Sequence, residues 1–258
     1  MNIHIIGGGN LGVAIAVGLA NYSKGNHIII TRRNTASIQY LSQNGINVSS
    51  NNIENIDKAD LIILTIKPYQ IDTVLNEILP HISKKIIASA VSGVSLETLQ
   101  QKTKGAHPIV RIMPNIAAQF AESATCISFS EQNKEAGEQV VSLFNHLGTA
   151  IVIEEKLMDA ATVLGACGTA YALRYIRASM QAGIEIGFDA QTALAIASQT
   201  AKGAAKMALE EKIHPEQLID RVTTPQGCTI VGLNEMEHRG FSSALIRGIK
   251  TSLQKIKE

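Results

Sequence analysis

Ile3-His4-Ile5-Ile6-Gly7-Gly8-Gly9-Asn10-Leu11-Gly12 is the stretch whose reading decides the fold. The apolar run has the composition of a buried strand, and Val13 to Leu19 continues beyond the glycines as a helix. A Gly-x-Gly-x-x-Gly turn between strand and helix suits the phosphates of a dinucleotide. Gly7 makes the turn, Gly9 lets backbone approach a pyrophosphate, and Gly12 allows close helix–strand packing. Asn10 and Leu11 then stand in the first helical turn, where free N–H groups and the helix dipole favour an anion. A glycine-rich turn can also serve packing alone, but its setting between strand and helix favours dinucleotide binding.

Outward from that turn, the first half alternates β-rich runs with helical patterns. Strands are predicted at Ile3–Ile6, His27–Thr31, Leu61–Thr65, Lys85–Ser89 and Ile109–Ile112, with a shorter one near Val48. Helices are predicted between them at Ala36–Gln43, Tyr69–Leu79 and Leu96–Lys102. Such alternation means βαβ units and a parallel sheet. Two further strands, Ala124–Ser128 and Ala150–Ile153, flank a helix at Lys134–Leu147 and extend the sheet.

After Glu154 the pattern is helical throughout. Leu157–Ile186 reads as one long helix or a broken pair, with Gly187 as C-cap and Asp189 as N-cap of the next helix. Pro215 begins a short helix, and Ile230–His238 and Ser242–Ile256 complete the series. The expected fold class is therefore α/β: a doubly wound sheet over 1–154 followed by an all-α domain over 155–258. Small residues recur in the helical half, at Ala193, Ala197, Ala201, Ala204 and Ala208 and around Gly165, Ala166, Gly168 and Ala170. They suit either a tight monomeric bundle or an intertwined homodimer, and the apolar content favours the dimer or a higher homo-oligomer.

Bulk properties narrow the function. The 258 residues carry a formal net charge of +1, which points to no nucleic-acid or anionic-membrane partner. Trp is absent and aromatics are only 4%, which argues against a base-stacking surface. Cys126, Cys167 and Cys228 are odd in number and far apart, which fits a reducing cytoplasm better than a disulfide framework. No signal core, membrane-length apolar run or HxxxH or HExxH metal spacing is present, so a soluble cytoplasmic protein without a metal site is expected. His214 and His238 read as helix-end residues rather than catalysts, and Cys228 as a packing residue.

The second strand ends in Thr31-Arg32-Arg33-Asn34, with no acid to hold ribose hydroxyls. The guanidinium groups of Arg32 and Arg33 suit a 2′-phosphate through forked, charge-assisted bonds, which favours NADPH, with NADH as second choice. After the fourth strand, Ile66-Lys67-Pro68 lies at the edge where ligands bind in open α/β sheets. There Lys67 either touches phosphate or projects into solvent. The small residues of Ser89-Ala90-Val91-Ser92-Gly93 leave room for a nicotinamide ring.

Arg111-Ile112-Met113-Pro114-Asn115 brings Asn115 to the same edge. Thr223-Thr224-Pro225-Gln226-Gly227-Cys228-Thr229 runs straight into a helix, where hydroxyls and free N–H groups would cradle a carboxylate, or the hydroxyls would simply cap the helix. With the glycine turn, Asn51-Asn52 and Ile66-Lys67-Pro68, these motifs resemble the pyrroline-5-carboxylate reductases along essentially the whole chain. The resemblance implies a Rossmann domain followed by a helical dimerisation domain. It also implies reduction of a cyclic imine, 1-pyrroline-5-carboxylate, to L-proline by NAD(P)H. It further implies that Asn52 and Lys67 contact the cofactor. Thr224, Gly227, Cys228 and Thr229 would hold the substrate carboxylate, beside Asn115.

The chain departs from the family pattern. Cys167-Gly168-Thr169-Ala170-Tyr171 replaces the usual Ser-Gly-Pro-Ala-Tyr, Arg174 stands where many relatives have a small hydroxyl residue, and Gln226 and Cys228 alter the late loop. Arg174 either binds a carboxylate, so that it joins Thr224 and Thr229 as a candidate catalytic residue, or pairs with an acid such as Glu185 or Asp220. A ketone reductase needs a placed general acid, and no Lys after 156 has an Asn four residues later. Imine reduction chiefly needs orientation and a dry ring pocket, so the leading expectation is an imine oxidoreductase of proline biosynthesis. The rivals are a same-fold reductase of another small imino or keto acid and a non-catalytic NADP-binding sensor.

Overall fold

Eight short strands, most of them rich in Ile, Val and Leu, form a single sheet in a computed structural model that describes residues 1–257. The strands are β1 (Asn2–Ile6), β2 (His27–Thr31), β3 (Asn47–Ser49), β4 (Leu61–Leu64), β5 (Ile86–Ser89), β6 (Ile109–Met113), β7 (Ser123–Phe129) and β8 (Gly148–Val152). Their order is β3-β2-β1-β4-β5-β6-β7-β8. The first six run parallel; β7 is antiparallel to β6, and β8 is parallel to β7. Ile5 lies between Ile30 and Ile63, at the centre of the register.

Both faces of this sheet are covered, which is why its inner strands are continuously apolar rather than alternating. On one face Ile3, Ile5, Ile30 and Ile63 pack with Ile15 and Leu19 of α1 (Asn10–Tyr22). On the other, Ile6, Ile62 and Leu64 pack with Val74 and Ile78 of α2 (Ile71–Ile78). The remaining helices beside the sheet are α3 (Leu96–Lys102), whose Ser95 cap accepts from the Thr98 N–H at 3.0 Å, and α4 (Lys134–Phe144). Chain order reverses between β1 and β4, so the crevice at their carboxyl ends is the ligand position of this fold.

His4 interrupts the apolar run of β1. It is 1% exposed, and neither ring nitrogen has a hydrogen-bond partner among the described residues. Burial lowers its pKa to about 4, against a smaller opposing pull from Glu54.

Two expected helices differ in detail. The one expected over Ala36–Gln43 is a 3₁₀ turn over Gln39–Asn44, ended by left-handed Gly45 at φ 75°. The buried residues there are Ile38 and Leu41, a three-residue spacing that matches the tighter helix. The helix expected from Leu157 runs as a 3₁₀ turn, then α5 (Met158–Ala161), a π-helical stretch over Thr162–Cys167, and α6 (Gly168–Glu185).

The chain divides into compact units at Cys167 and Gly168, later than the change of texture at 154. Met158 and Val163 are buried, and Glu155 reaches back to β6, so the first turns after β8 stay with the sheet. Specifically, Arg111 on β6 is 5% exposed and donates from Nη1 to Glu155 Oε1 at 3.0 Å. The same oxygen accepts the Leu96 N–H at 2.5 Å.

The helical unit holds α6, α7 (Ala190–Glu211), α8 (Pro215–Arg221), α9 (Cys228–His238) and most of α10 (Phe241–Lys257). Gly187 ends the α6 segment at φ 112°, and Asp189 caps α7 by accepting from Gln191 and Thr192 at 3.0 Å. A Cβ on Gly183 would lie 2.9 Å from that of Ala193, so the small residues do set a close approach of α6 and α7. Tyr171 and Ser252 share a hydrogen bond of 2.7 Å between α6 and α10. Among the described residues only Ala193 and Leu218 are buried apolar side chains in this unit. Leu209 is 72% exposed and Ile186 76%, which leaves apolar surface that one chain does not cover.

Candidate functional site

At the carboxyl end of β1 the backbone turns through Gly7, φ 117°, into α1. Gly7 and Gly8 both donate their N–H to the Thr31 carbonyl, at 3.1 and 2.8 Å. The Thr65 hydroxyl donates to the Gly7 carbonyl at 2.7 Å. A Cβ on Gly12 would lie 2.1 Å from the Gly7 oxygen, so only glycine lets α1 come this close. Gly9 is different: a Cβ there would meet nothing within 4 Å. It is the N-cap of α1, with no side chain capping the helix and no acid in the first turn. The N–H groups of Asn10, Leu11 and Gly12 thus have no side-chain cap, and the room beside Gly9 fits a pyrophosphate.

This turn forms one wall of a cleft of about 420 Å³. The cleft gathers Gly7, Gly9, Arg32, Arg33, Asn52, Ile66 and Lys67. Arg32 donates from Nη1 to the Gly8 carbonyl at 3.0 Å, so it lies across the glycine turn, and Arg33 is exposed beside it. Pro68 starts the 3₁₀ turn before α2, and the Gln70 side chain accepts the Lys67 N–H at 3.1 Å. Asn10, Leu11, Gly12 and Pro68 flank the cleft in sequence without being among its lining residues.

Sequence reading missed Thr65 as the lock of the turn, and Gln70 just before α2 with Thr73 and Glu77 of α2 as lining residues. A signal for Glu77 was available: an acid in the last turn of a helix sits at the unfavourable end of the dipole and calls for another partner.

Asn115 does lie at the exit of β6, but its amide is engaged in the fold. It accepts from the Ala117 N–H at 2.9 Å and donates to the Gly165 carbonyl at 3.3 Å.

In the helical unit, Thr224 to Gly227 form a tight turn closed by the Gly227 N–H on the Thr224 carbonyl at 2.9 Å. Gln226 occupies the left-handed region at φ 58°. A Cβ on Gly227 would lie 2.5 Å from Thr224 Oγ1, so the glycine is required. Gly227 is the N-cap of α9, no side chain caps that helix, and the Thr223 hydroxyl bonds the Ile219 carbonyl instead. The hydroxyls therefore leave the N–H groups of Cys228 and Thr229 open to a ligand. Thr224, Cys228 and Thr229 are exposed, so Cys228 does not pack within its own unit.

Arg174 stands apart from that loop in the lining of a separate cavity of about 590 Å³, with Tyr171, Tyr175 and Phe241. It makes no ion pair with Glu185 or Asp220 among the described residues. Burial raises the pKa of the Cys126 thiol on β7, and no cluster of metal-ligating side chains occurs among the described residues. No helix is long and apolar enough to cross a membrane among the residues described.

A doubly wound sheet with an uncapped glycine turn, joined to a helical domain, defines an NAD(P)-dependent oxidoreductase. Comparison with known proteins agrees. Residues 2–93 match the family described as NADP oxidoreductase, coenzyme F420-dependent, and residues 155–258 match pyrroline-5-carboxylate reductase dimerisation. The chain belongs to the pyrroline-5-carboxylate reductase family. It is 44% identical to pyrroline-5-carboxylate reductase 1 of Dictyostelium discoideum over 98% of its own length, and spans 49% of that relative. It is 43% identical to pyrroline-5-carboxylate reductase 2 of the same organism, covering 98% of this chain and 91% of that one. The solved structure of Plasmodium falciparum pyrroline carboxylate reductase with NADP bound is similar at a TM-score of 0.87 and 26% identity, covering 100% of this chain and 97% of that one.

Proposed function

We propose that this protein reduces 1-pyrroline-5-carboxylate to L-proline with NADPH, and accepts NADH less well. The observation that carries this reading is the 43% identity to a reductase of that name across both the cleft-bearing and the helical halves. When bound, NADPH would supply the hydride for the imine carbon, and with a proton from water on the ring nitrogen C=N would become CH–NH.

The chain's own residues bind and orient. Gly9 and the N–H groups of Asn10, Leu11 and Gly12 face the pyrophosphate. Arg32, Arg33 and Asn52 hold the adenosine end, where two guanidinium groups and no β2 acid favour a 2′-phosphate. Ile66, Lys67 and Pro68 wall the nicotinamide side. The α9 N-terminus, with Thr224, Gly227, Cys228 and Thr229, takes the substrate carboxylate, with the hydroxyls of Thr224 and Thr229 orienting the ring. Arg174, outside that loop, supplies a cationic contact to the substrate, and Asn115 shapes the exit of β6. Two copies pair through the helical domain, read from about 155 onward, which would cover the apolar surface left by one chain. The three separate thiols fit a cytoplasmic enzyme.

The test is isotopic. NADPH carrying deuterium at the transferable position of nicotinamide C4 is incubated with protein and imine, and the proline is analysed by mass. Deuterium on the former imine carbon supports direct transfer; unlabelled proline or none contradicts it. The unpaired guanidinium of Arg174 favours one second reading, a longer imino acid bearing an extra carboxylate, and faster turnover of such a substrate would identify it.

A further inference from the structure

Asn52 is held from two sides. Its Oδ1 accepts the Thr31 hydroxyl at 2.6 Å, and its Nδ2 donates to Glu77 Oε2 at 2.9 Å. The three residues come from the end of β2, the segment after β3 and the last turn of α2, and all line the glycine-turn cleft.

Glu77 is badly placed for stability alone. It sits in the last turn of α2, where the dipole favours cations, and it is exposed. It also lines the cleft with Arg32, Arg33 and Lys67 yet forms no ion pair with any of them among the described residues. Its partner is the amide. An ionised carboxylate only accepts, so it fixes which way the amide faces: NH₂ towards α2, oxygen towards Thr31. An amide has two N–H donors, and Glu77 uses one.

We propose that Glu77 is a positioning residue for the cofactor. It locks Asn52 so that the second amide N–H donates to an oxygen of the adenosine ribose or its 2′-phosphate. This rests on reading the cleft as a dinucleotide site.

The test compares wild type with E77A, E77Q, N52A and the double variant E77A/N52A. Each is followed by NADPH fluorescence titration, steady-state KM and kcat for NADPH, and thermal melting. E77A is expected to raise the KM for NADPH roughly tenfold, with the loss falling on KM rather than kcat. E77Q keeps an acceptor oxygen in place and should recover most of that loss. N52A should match E77A, and the double variant should be no worse than N52A, because both act through one bond. Additive losses, an E77Q as impaired as E77A, or an unchanged KM in E77A would each overturn the proposal. Wild-type protein that takes up no NADPH would instead overturn the dinucleotide reading, and the proposal with it.

Discussion

The Thr65 hydroxyl donates to the Gly7 carbonyl at 2.7 Å and so ties the exit of β4 to the turn after β1. That bond fills the space a side chain on Gly12 would need: a Cβ there would lie 2.7 Å from Thr65 Oγ1 as well as 2.1 Å from the Gly7 oxygen. The glycines of one motif thus have separate tasks.

G12A and G9A should therefore fail differently. G12A forces α1 off the sheet and should lose about 2–4 kcal/mol in urea unfolding. G9A meets no neighbour, so it should unfold within about 1 kcal/mol of wild type, yet bind NADPH at least roughly tenfold more weakly because its methyl enters the phosphate space. A G9A variant that binds normally would remove Gly9 from the phosphate site.

Stability should fall in mild acid because of His4. Its folded pKa is about 4, below the ordinary value of 6.5, so between those values the unfolded chain binds the proton that the folded chain refuses. The neutral, buried ring is fully compatible with the fold above about pH 6.5. Stability is then lost as pH drops towards 4, by up to about 3 kcal/mol from this group. Urea titrations from pH 7 to pH 4 should show the slope, and H4L should remove its His4 component. An unchanged slope in H4L would place the acid sensitivity elsewhere.

Arg111 depends on Glu155. E155A would leave a guanidinium that is 5% exposed, and whose Nη2 has no partner among the described residues, without its carboxylate. It would also free the Leu96 N–H. A loss of about 2–4 kcal/mol is expected, less than for a fully buried pair because the Glu155 side chain is 32% exposed. Denaturant unfolding of E155A checks this, and a change under 0.5 kcal/mol, on the order of an ordinary surface substitution, would contradict it.

Arg174 has no acid partner among the described residues, so R174A should leave the melting temperature close to wild type, as surface changes do. Its effect should appear as a several-fold higher KM for the imine substrate. A large loss of stability with an unchanged KM would make the residue structural instead.

Much of this was legible in the residues, for reasons that differ by element. The sheet could be read because strands covered on both faces are unbroken apolar runs, as in Leu61–Leu64. The turn could be read because the demands on Gly7 and Gly12 are steric and local. The 3₁₀ form of Gln39–Asn44 could not, since a few apolar residues fit either helical period. For Glu77 the residues signalled only an acid at the wrong end of a helix; its partner could not be read, since the fold alone brings α2 beside the Asn52 loop, 25 positions away in the chain. The break after Cys167 likewise depends on Glu155 returning to Arg111, a contact that periodicity does not encode.

The most direct test of the central claim is the initial rate of NADPH oxidation by purified protein with 1-pyrroline-5-carboxylate at neutral pH. Saturable turnover that yields L-proline, faster with NADPH than with NADH, is the expected result. Intact NADPH binding without any imine-dependent oxidation would contradict the account.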